Sequence, residues 1–368
     1  MKKRLLPLLL ATMLLLTALA ATGCGADGRE TVLLYTWGEY LDEAAVVPAF
    51  EEAYPQYRLK VKTFEDNEKM YPMLENNAYD VIVPSDYMAL RLIREDRLLP
   101  LDTAALPNIV NNDPMLESIV FDPDPAMDEK LFDYAVPYMY CTVGLMYNKD
   151  EVPAPASDDP QDVWAPLFDT KYENRIGMYD SMRESIGAAL NYLGCGLNTL
   201  DAGELAKAED LLLDQRTNVR PLVGIDDLKD KFVSGELVAG IAWSGDHVVC
   251  QARLGDAGKD PEMLQYALPA GSNISIDLMC IPKNAKNVPG ALALIDFLCR
   301  PDIALVNCEY VGYSTPNLPA REELDESIRE NPAYYPGEDL MKTLQPYFSS
   351  EEIDSTYDAL WTKYLSTN

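Results

Sequence analysis

Histidine is almost absent from this sequence, because its 368 residues include only His247. A catalytic triad would need a nucleophile and a carboxylate near that ring. Ser244 lacks the Gly-x-Ser-x-Gly turn, since Ala242 stands where the first glycine belongs. No Gly-x-Gly-x-x-Gly follows a strand pattern and no phosphate-binding loop occurs, so a nucleotide site is not indicated. These absences argue against catalysis and against a cofactor.

The chain also lacks the cysteine spacing of a metal site. Its seven cysteines include no Cys-x-x-Cys pair and no cysteine-histidine pattern, so no metal is expected. Six of them follow Cys24, and most of those six lie within apolar runs. This placement favours buried free thiols, with one disulfide left open.

Positive charge is scarce, with 30 Lys and Arg against 60 Asp and Glu and a formal net charge of -30. Such a field repels phosphate backbones, so nucleic acid is not an expected partner. A solvated surface is the ordinary interpretation of this balance, and steering of cationic ligands is the other. The length and the 48% hydrophobic content are enough for two domains with their own cores.

The N-terminus has the order of a secretory signal. Three basic residues precede an apolar run over residues 5–21, and a Gly-Cys pair ends it. This end resembles bacterial lipoprotein signals, in which the Cys24 thiol receives a diacylglyceryl group, although Ala21 stands where leucine is usual. An ordinary cleaved signal or an uncleaved anchor are the alternatives. We expect a signal at residues 1–23, a tether at 24–30 and an exported protein.

Strand and helix patterns alternate along the rest of the chain and predict a doubly wound α/β fold. Strands are expected at residues 31–36, 57–64 and 81–83, with helices between them. The first helix is predicted to begin near Pro48 and the second to be interrupted at Pro72. The same alternation recurs later in the chain, at residues 173–196, 235–249 and 273–302.

Aromatic and acidic residues follow successive predicted strands. In open α/β sheets this edge binds ligands. Any one such aromatic is more often a packing residue, but recurrence after several strands favours a site for an organic cation, held by ring faces and carboxylates. The strand-end residues are Trp37, Glu39, Tyr40, Ser85, Asp86, Tyr87, Asp180, Ser181, Arg183, Glu184, Trp243 and Asp246.

Several segments carry a family resemblance over nearly the whole mature length. They are YTWGEY, AYDVIVPSDY, DSMRE, LGCGLNT, GIAWSG, DLMCIPKNAKN, GALALIDFLCRPD and EYVGYSTPN. The chain resembles the spermidine/putrescine-binding proteins of bacterial ABC importers. The resemblance implies a two-lobed, type II periplasmic-binding-protein-like fold with a polyamine ligand in the interlobe cleft. It also implies that a membrane permease and its ATPase subunits are partners and that the protein is not an enzyme.

The same resemblance implies roles for single residues. It implies that Ser85 is a polar contact of the ligand and that Glu184 and Asp277 are the carboxylates that bind ligand nitrogens. The implied aromatic walls are Trp37, Tyr40, Tyr87, Trp243 and Tyr313.

Two positions depart from the family pattern. Ser275 replaces a common tryptophan, and Ser181 replaces an aspartate seen in some members, with Asp180 as a shifted substitute. Both changes leave the length of the ligand open. Glu39 either faces the ligand or caps the helix that follows.

The resemblance also predicts how the chain divides. The first lobe is expected to comprise residues 31–140 and 276–321, and the second lobe residues 141–275 and 322–368. The protein would be lipid-anchored to the outer face of the cell membrane, or periplasmic. Two alternatives stay open: a same-fold binder of another organic cation or an amino acid derivative, and a surface-anchored hydrolase.

Overall fold

The structure is a computed structural model that describes residues 28–367. The predicted signal at residues 1–23 and the lipidation of Cys24 lie outside the described residues, as does most of the tether. Within residues 28–367, no helix is both long enough and apolar enough to cross a membrane.

Nine strands of the described chain join in one sheet. They are β1 Glu30–Trp37, β2 Tyr57–Phe64, β3 Val81–Ile82, β4 Ala135–Asn148, β5 Ile176–Tyr179, β6 Leu222–Gly224, β7 Ala239–Trp243, β8 Leu264–Ala267 and β9 Ile274–Cys280. The strand order is β2-β1-β3-β9-β4-β7-β5-β6, and β8 pairs with β4 beside this path. The parallel pairing of β1 with both β2 and β3 confirms the predicted β-α-β-α-β start.

Sixteen α-helices occur in the same described range. They are α1 Glu43–Ala53, α2 Asn67–Asn76, α3 Asp86–Arg94, α4 Pro125–Asp128, α5 Leu131–Tyr134, α6 Pro160–Phe168, α7 Met182–Tyr192, α8 Ala202–Asn218, α9 Asp226–Ser234, α10 Ser244–Asp256, α11 Val288–Leu298, α12 Pro301–Val311, α13 Leu318–Glu323, α14 Glu326–Arg329, α15 Glu338–Met341 and α16 Glu351–Ser366. The longer helices of the first half follow strands, as the alternating pattern predicts.

Two predictions about prolines are wrong. Helix α1 begins at Glu43 rather than near Pro48, because the Asp42 side chain caps the helix at its N-terminus. Helix α2 runs without interruption through Pro72, and Asp66 caps it in the same way. Each helix loses one backbone hydrogen bond at its proline. The caps and the buried faces outweigh that loss.

Strand β4 joins the two halves of the sheet. Its residues 135–142 pair with β9, and its residues 143–148 pair with β7 and β8. We call the part built on β1, β2, β3 and β9 the first lobe, and the part built on β5, β6, β7 and β8 the second lobe. The exact residue ranges predicted for the two lobes stay a prediction.

Each lobe has its own apolar core. The first-lobe sheet is covered on both faces, by one cluster around Val32 and Phe50 and another around Ile82 and Met88. The second-lobe cluster centres on Ile241, and helix α16 packs into it. All six cysteines of the described chain are free thiols and five of them are buried, as the apolar runs predict.

Candidate functional site

A cavity, called the cleft below, opens between the two lobes. Strand ends and helix starts from both lobes line it, because the carboxyl ends of the two sheet halves face each other there. The structure brings together ten of the eleven predicted ligand residues: Trp37, Glu39, Tyr40, Ser85, Tyr87, Ser181, Glu184, Trp243, Asp277 and Tyr313.

Asp180 is the predicted residue that the structure does not bring to the cleft. It follows the last residue of β5, its backbone N–H donates to the Gly224 carbonyl at 2.9 Å, and its side chain is exposed. The interpretation of Asp180 as a shifted substitute for an aspartate at position 181 is therefore wrong. Ser181 itself lines the cleft, as does Ser275.

Asp277, on β9, is a carboxylate held only by neutral donors. The Tyr40 hydroxyl donates to one carboxylate oxygen at 2.6 Å and the Ser85 hydroxyl to the other at 2.8 Å. Burial raises the pKa of Asp277 to about 6, the two hydroxyl donors partly offset this rise, and the nearby Glu184 charge adds to it. No Lys or Arg of residues 28–367 forms an ion pair with this carboxylate. The site thus lacks a cation at this point.

Glu184 lies in the first turn of α7, directly after strand β5. Its carboxylate accepts a hydrogen bond from the Ser181 hydroxyl. Burial raises the pKa of Glu184, and the Ser181 hydrogen bond lowers it in part. Glu184 and Asp277 belong to different lobes, so a cation between them would join the lobes.

Glu68 lines the same part of the cleft and was missed from the sequence. It lies in the first turn of α2, immediately after β2, and accepts a hydrogen bond from the Tyr87 hydroxyl at 2.8 Å. The surrounding cleft walls withdraw its carboxyl from bulk water and raise its pKa to about 7. Part of the Glu68 side chain remains exposed to solvent. The strand-end rule, applied to β2, would have found it.

The aromatic side chains of the cleft are fixed by packing. The Tyr40 and Tyr313 rings meet edge to face with centroids 5.2 Å apart, and the Trp243 ring lies 4.4 Å from that of Tyr179. Tyr313 also packs directly onto Gly245, where a Cβ atom would collide with its ring. Position 245 must therefore be glycine if the Tyr313 ring is to line the cleft here.

Glu39 contacts the opposite lobe. It has a positive φ of 53°, and its carboxylate lies 3.4 Å from an Arg253 guanidinium nitrogen and 3.6 Å from the Lys229 ammonium nitrogen. Because Asp42 caps α1, the alternative in which Glu39 caps that helix is wrong. Glu39 is largely exposed, so these pairs stabilise the lobe contact only weakly.

Two other strand-end residues serve the fold. The Asp86 carboxylate accepts backbone N–H groups from Ile276 at 2.9 Å and from Tyr87 at 2.6 Å, which ties α3 to β9. The Arg183 guanidinium lies over the Tyr347 and Tyr357 rings and does not line the cleft.

His247 also lies away from the cleft. Its two ring nitrogens contact the Tyr334 hydroxyl at 3.1 Å and the Leu264 carbonyl at 3.0 Å, and burial lowers its pKa. Both nitrogens are thus engaged in the core. In the part of the chain that the structure describes, no group of three His, Cys, Asp or Glu is placed to hold a metal ion.

The fold and the cleft define a class: two-lobed binding proteins that enclose a small ligand between α/β lobes. Residues 45–336 match the family model for bacterial extracellular solute-binding proteins. The chain belongs to this family. The predicted type II fold is confirmed, and so is the prediction that the protein binds a solute rather than acting as an enzyme.

Individual relatives are similar over most of the chain. The spermidine/putrescine-binding periplasmic protein of Salmonella typhimurium is 33% identical, covering 87% of each chain. The structure of a spermidine/putrescine ABC transporter substrate-binding protein, PotD from Streptococcus pneumoniae, is similar with a TM-score of 0.74 and 33% identity, covering 91% of this chain and 98% of that one. The TpPotD lipoprotein of Treponema pallidum gives a TM-score of 0.76 at 25% identity, covering 91% and 99%. The resemblance found from the sequence is thereby confirmed.

Proposed function

We propose that the protein captures a polyamine of the putrescine and spermidine class and delivers it to the permease of a bacterial ABC importer. One observation carries this proposal: Asp277 and Glu184 face a cleft walled by aromatic rings, and no cation of the described chain neutralises Asp277. A buried carboxylate without a cation is costly. An alkyl ammonium would remove that cost.

Both the ammonium groups and the methylene stems of a polyamine have matching groups in the cleft. Ammonium groups would pair with the carboxylates in short, charge-assisted hydrogen bonds. The methylene stems between them would lie against the rings of Trp37, Tyr40 and Trp243, and each ring face adds a favourable contact with positive charge. The names of the relatives, which include spermidine and putrescine, support the same class of ligand.

Capture would proceed by closure of the lobes. A ligand held by Asp277 of the first lobe completes its contacts only when Glu184 of the second lobe approaches, so binding shifts an open-closed equilibrium toward the closed form. The long strand β4, which is shared by both sheet halves, is the element about which they would move. The closed form would then dock on the permease, and the ATPase subunits would drive transport.

Calorimetry of the mature protein tests the proposal. We expect saturable binding of putrescine or spermidine, and none of a neutral diol of similar length, because the cleft offers carboxylates to ammonium groups. Titrations with γ-aminobutyrate and with arginine test whether the cleft instead binds an amino acid derivative or another organic cation. Absence of binding to every polyamine would overturn the proposed function.

We also propose that Cys24 carries a lipid that holds the protein at the outer face of the membrane. The basic, apolar and Gly-Cys order of the first 24 residues supports this, as does the description of a relative as a lipoprotein. We expect a Cys24→Ser variant to move from the membrane fraction to the soluble fraction. Retention of that variant in the membrane would contradict a lipid anchor.

A further inference from the structure

Arg183, in the first turn of α7, is a buried cation outside the cleft lining. It is 2% exposed, and its guanidinium carbon lies 4.7 Å from the centre of the Tyr347 ring and 4.6 Å from that of Tyr357. One guanidinium nitrogen donates to the Asn198 side-chain oxygen at 2.6 Å. Within residues 28–367, Nε and Nη1 have no hydrogen-bond partner, and no carboxylate forms an ion pair with Arg183. A buried charge in this setting is costly unless an opposite charge acts on it from nearby.

Glu184, the next residue of α7, is a carboxylate of the cleft with which no Lys or Arg of the described chain forms an ion pair. Tyr347 packs beside both residues: its hydroxyl lies 3.1 Å from the point where a Cβ atom of Gly187 would be, one turn further along α7. Burial raises the pKa of Tyr347, the Glu184 charge raises it further, and the Arg183 charge lowers it. The two opposite charges therefore act on the same small region of the protein.

The groups of other elements that interact with the Glu184 charge are acidic. They are Glu68 of α2, Tyr87 of α3, Cys141 of β4 and Asp277 of β9. The two carboxylates among them repel a charge on Glu184, and burial raises the pKa of Glu184 as well. The Arg183 charge lowers that pKa, and it also lowers the pKa of Asp86, which burial raises to about 8. Arg183 thus counteracts the effects that would neutralise Glu184.

We propose that Arg183 is a positioning residue for amine binding, because its buried positive charge keeps the Glu184 carboxylate ionised without touching the ligand. This inference rests on the proposed function. Arg183 does not line the cleft, so it does not compete with a ligand ammonium for the carboxylate oxygens. Glu184 thereby stays available to an ammonium group at neutral pH, although burial and two neighbouring carboxylates disfavour its charge.

An NMR titration of the ligand-free mature protein with isotope-labelled glutamate tests this role without any amine. The carboxyl signal of Glu184 is assigned by its loss in a Glu184→Gln variant. We expect Arg183→Met to shift the titration of Glu184 to higher pH, because methionine removes the charge and fills most of the space. Arg183→Gln, which is also neutral and can still donate to Asn198, should give the same shift and serves if Arg183→Met does not fold. An unchanged titration of Glu184 in the neutral variants would overturn the role of Arg183.

Arg183→Lys separates the charge from the packing. Lysine keeps the positive charge but cannot reproduce the planar contact of the guanidinium with the two tyrosine rings. We therefore expect Arg183→Lys to restore most of the wild-type titration of Glu184. If Arg183→Lys shifted the titration as far as Arg183→Met does, the charge would not be the cause, and the inference would be wrong.

Calorimetry with putrescine measures the consequence for binding. Relative to the wild-type protein, Arg183→Met is expected to bind about fivefold more weakly at pH 6.5 and less than about twofold more weakly at pH 8, where Glu184 is ionised in both proteins. A purely structural role would weaken binding equally at both pH values. Direct repulsion of the ligand by Arg183 would instead make Arg183→Met bind more tightly at both. Either of these results would overturn the inference and leave the proposed function standing.

Arg216→Met is the matched control. Arg216 of α8 also lies over a tyrosine ring of the second lobe, 5.5 Å from the centre of the Tyr364 ring, and it does not line the cleft. Neither the titration of Glu184 nor the affinity for putrescine should change. If the wild-type protein binds no amine, the proposed function fails and the role in binding fails with it. The NMR titration, which uses no ligand, shows separately whether Arg183 acts on Glu184.

Discussion

Replacement of Asp277 with asparagine is expected to weaken putrescine binding by about 1.5–3 kcal/mol, which is about 10- to 150-fold in Kd. The reason is that Asp277 supplies a full negative charge to a ligand ammonium, and the amide supplies none. Tyr40 and Ser85 donate to different oxygens of Asp277, so in the variant one hydroxyl can still donate to the amide oxygen and the other can turn to accept from the amide NH2. Calorimetry of wild-type protein and variant under one buffer condition measures the difference.

Asp180→Asn provides the matched control for this change. It makes the same chemical replacement at the end of β5, three strands from β9 in the sheet order, at an exposed side chain that does not line the cleft, and is expected to leave the affinity unchanged. The Asp277→Asn variant should unfold at a temperature no lower than the wild-type protein, because it removes a buried charge rather than a packed side chain. An affinity of Asp277→Asn equal to that of the wild-type protein would contradict the role of Asp277.

Protonation of Asp277 alone is expected to lower the affinity for a diamine about tenfold between pH 8 and pH 5. The pKa of Asp277, raised to about 6 chiefly by burial, means that this carboxyl is ionised at pH 8 and mostly protonated at pH 5. A primary amine stays protonated over this whole range, so only the protein changes its charge. The raised pKa of Glu184 makes the loss steeper in the same direction.

Calorimetry at pH 8, 7, 6 and 5 measures this dependence, with circular dichroism at each pH to show that the fold persists. Binding near pH 6 should release protons into the buffer, since the cation favours the ionised carboxylates. The Asp277→Asn variant should show a shallower dependence. Affinity that stays level, or that rises as the pH falls, would contradict the account.

Most of the first lobe could be predicted because its signals are local. The apolar runs of β1 and β3 and the alternation of β2 are visible in the sequence. The rule that ligands bind at strand ends predicts nine residues of the cleft, and the family resemblance adds Asp277 and Tyr313. The sequence predicts that α1 begins near Pro48 because proline is common in the first turn of a helix, whereas the Asp42 cap makes the helix begin at Glu43. Local capping decided the boundary.

The second-lobe side of the cleft around Lys229 could not be predicted from strand ends. Strand β6 has only three residues, Leu222–Gly224, and gives no clear alternation, so the helix that follows it was not recognised as a cleft element. Lys229 is therefore missing from the predicted site, although Asp246 was noted. The Lys229 ammonium lies 3.5 Å from an Asp246 oxygen because α9 and α10 pack together, and no short segment of sequence encodes that packing.

The most direct test of the account is a crystal structure of the mature protein with putrescine. We expect one ligand nitrogen about 3 Å from the Asp277 carboxylate and the other at Glu184. A ligand whose nitrogens contact neither Asp277 nor Glu184, or a ligand bound outside the cleft, would contradict it.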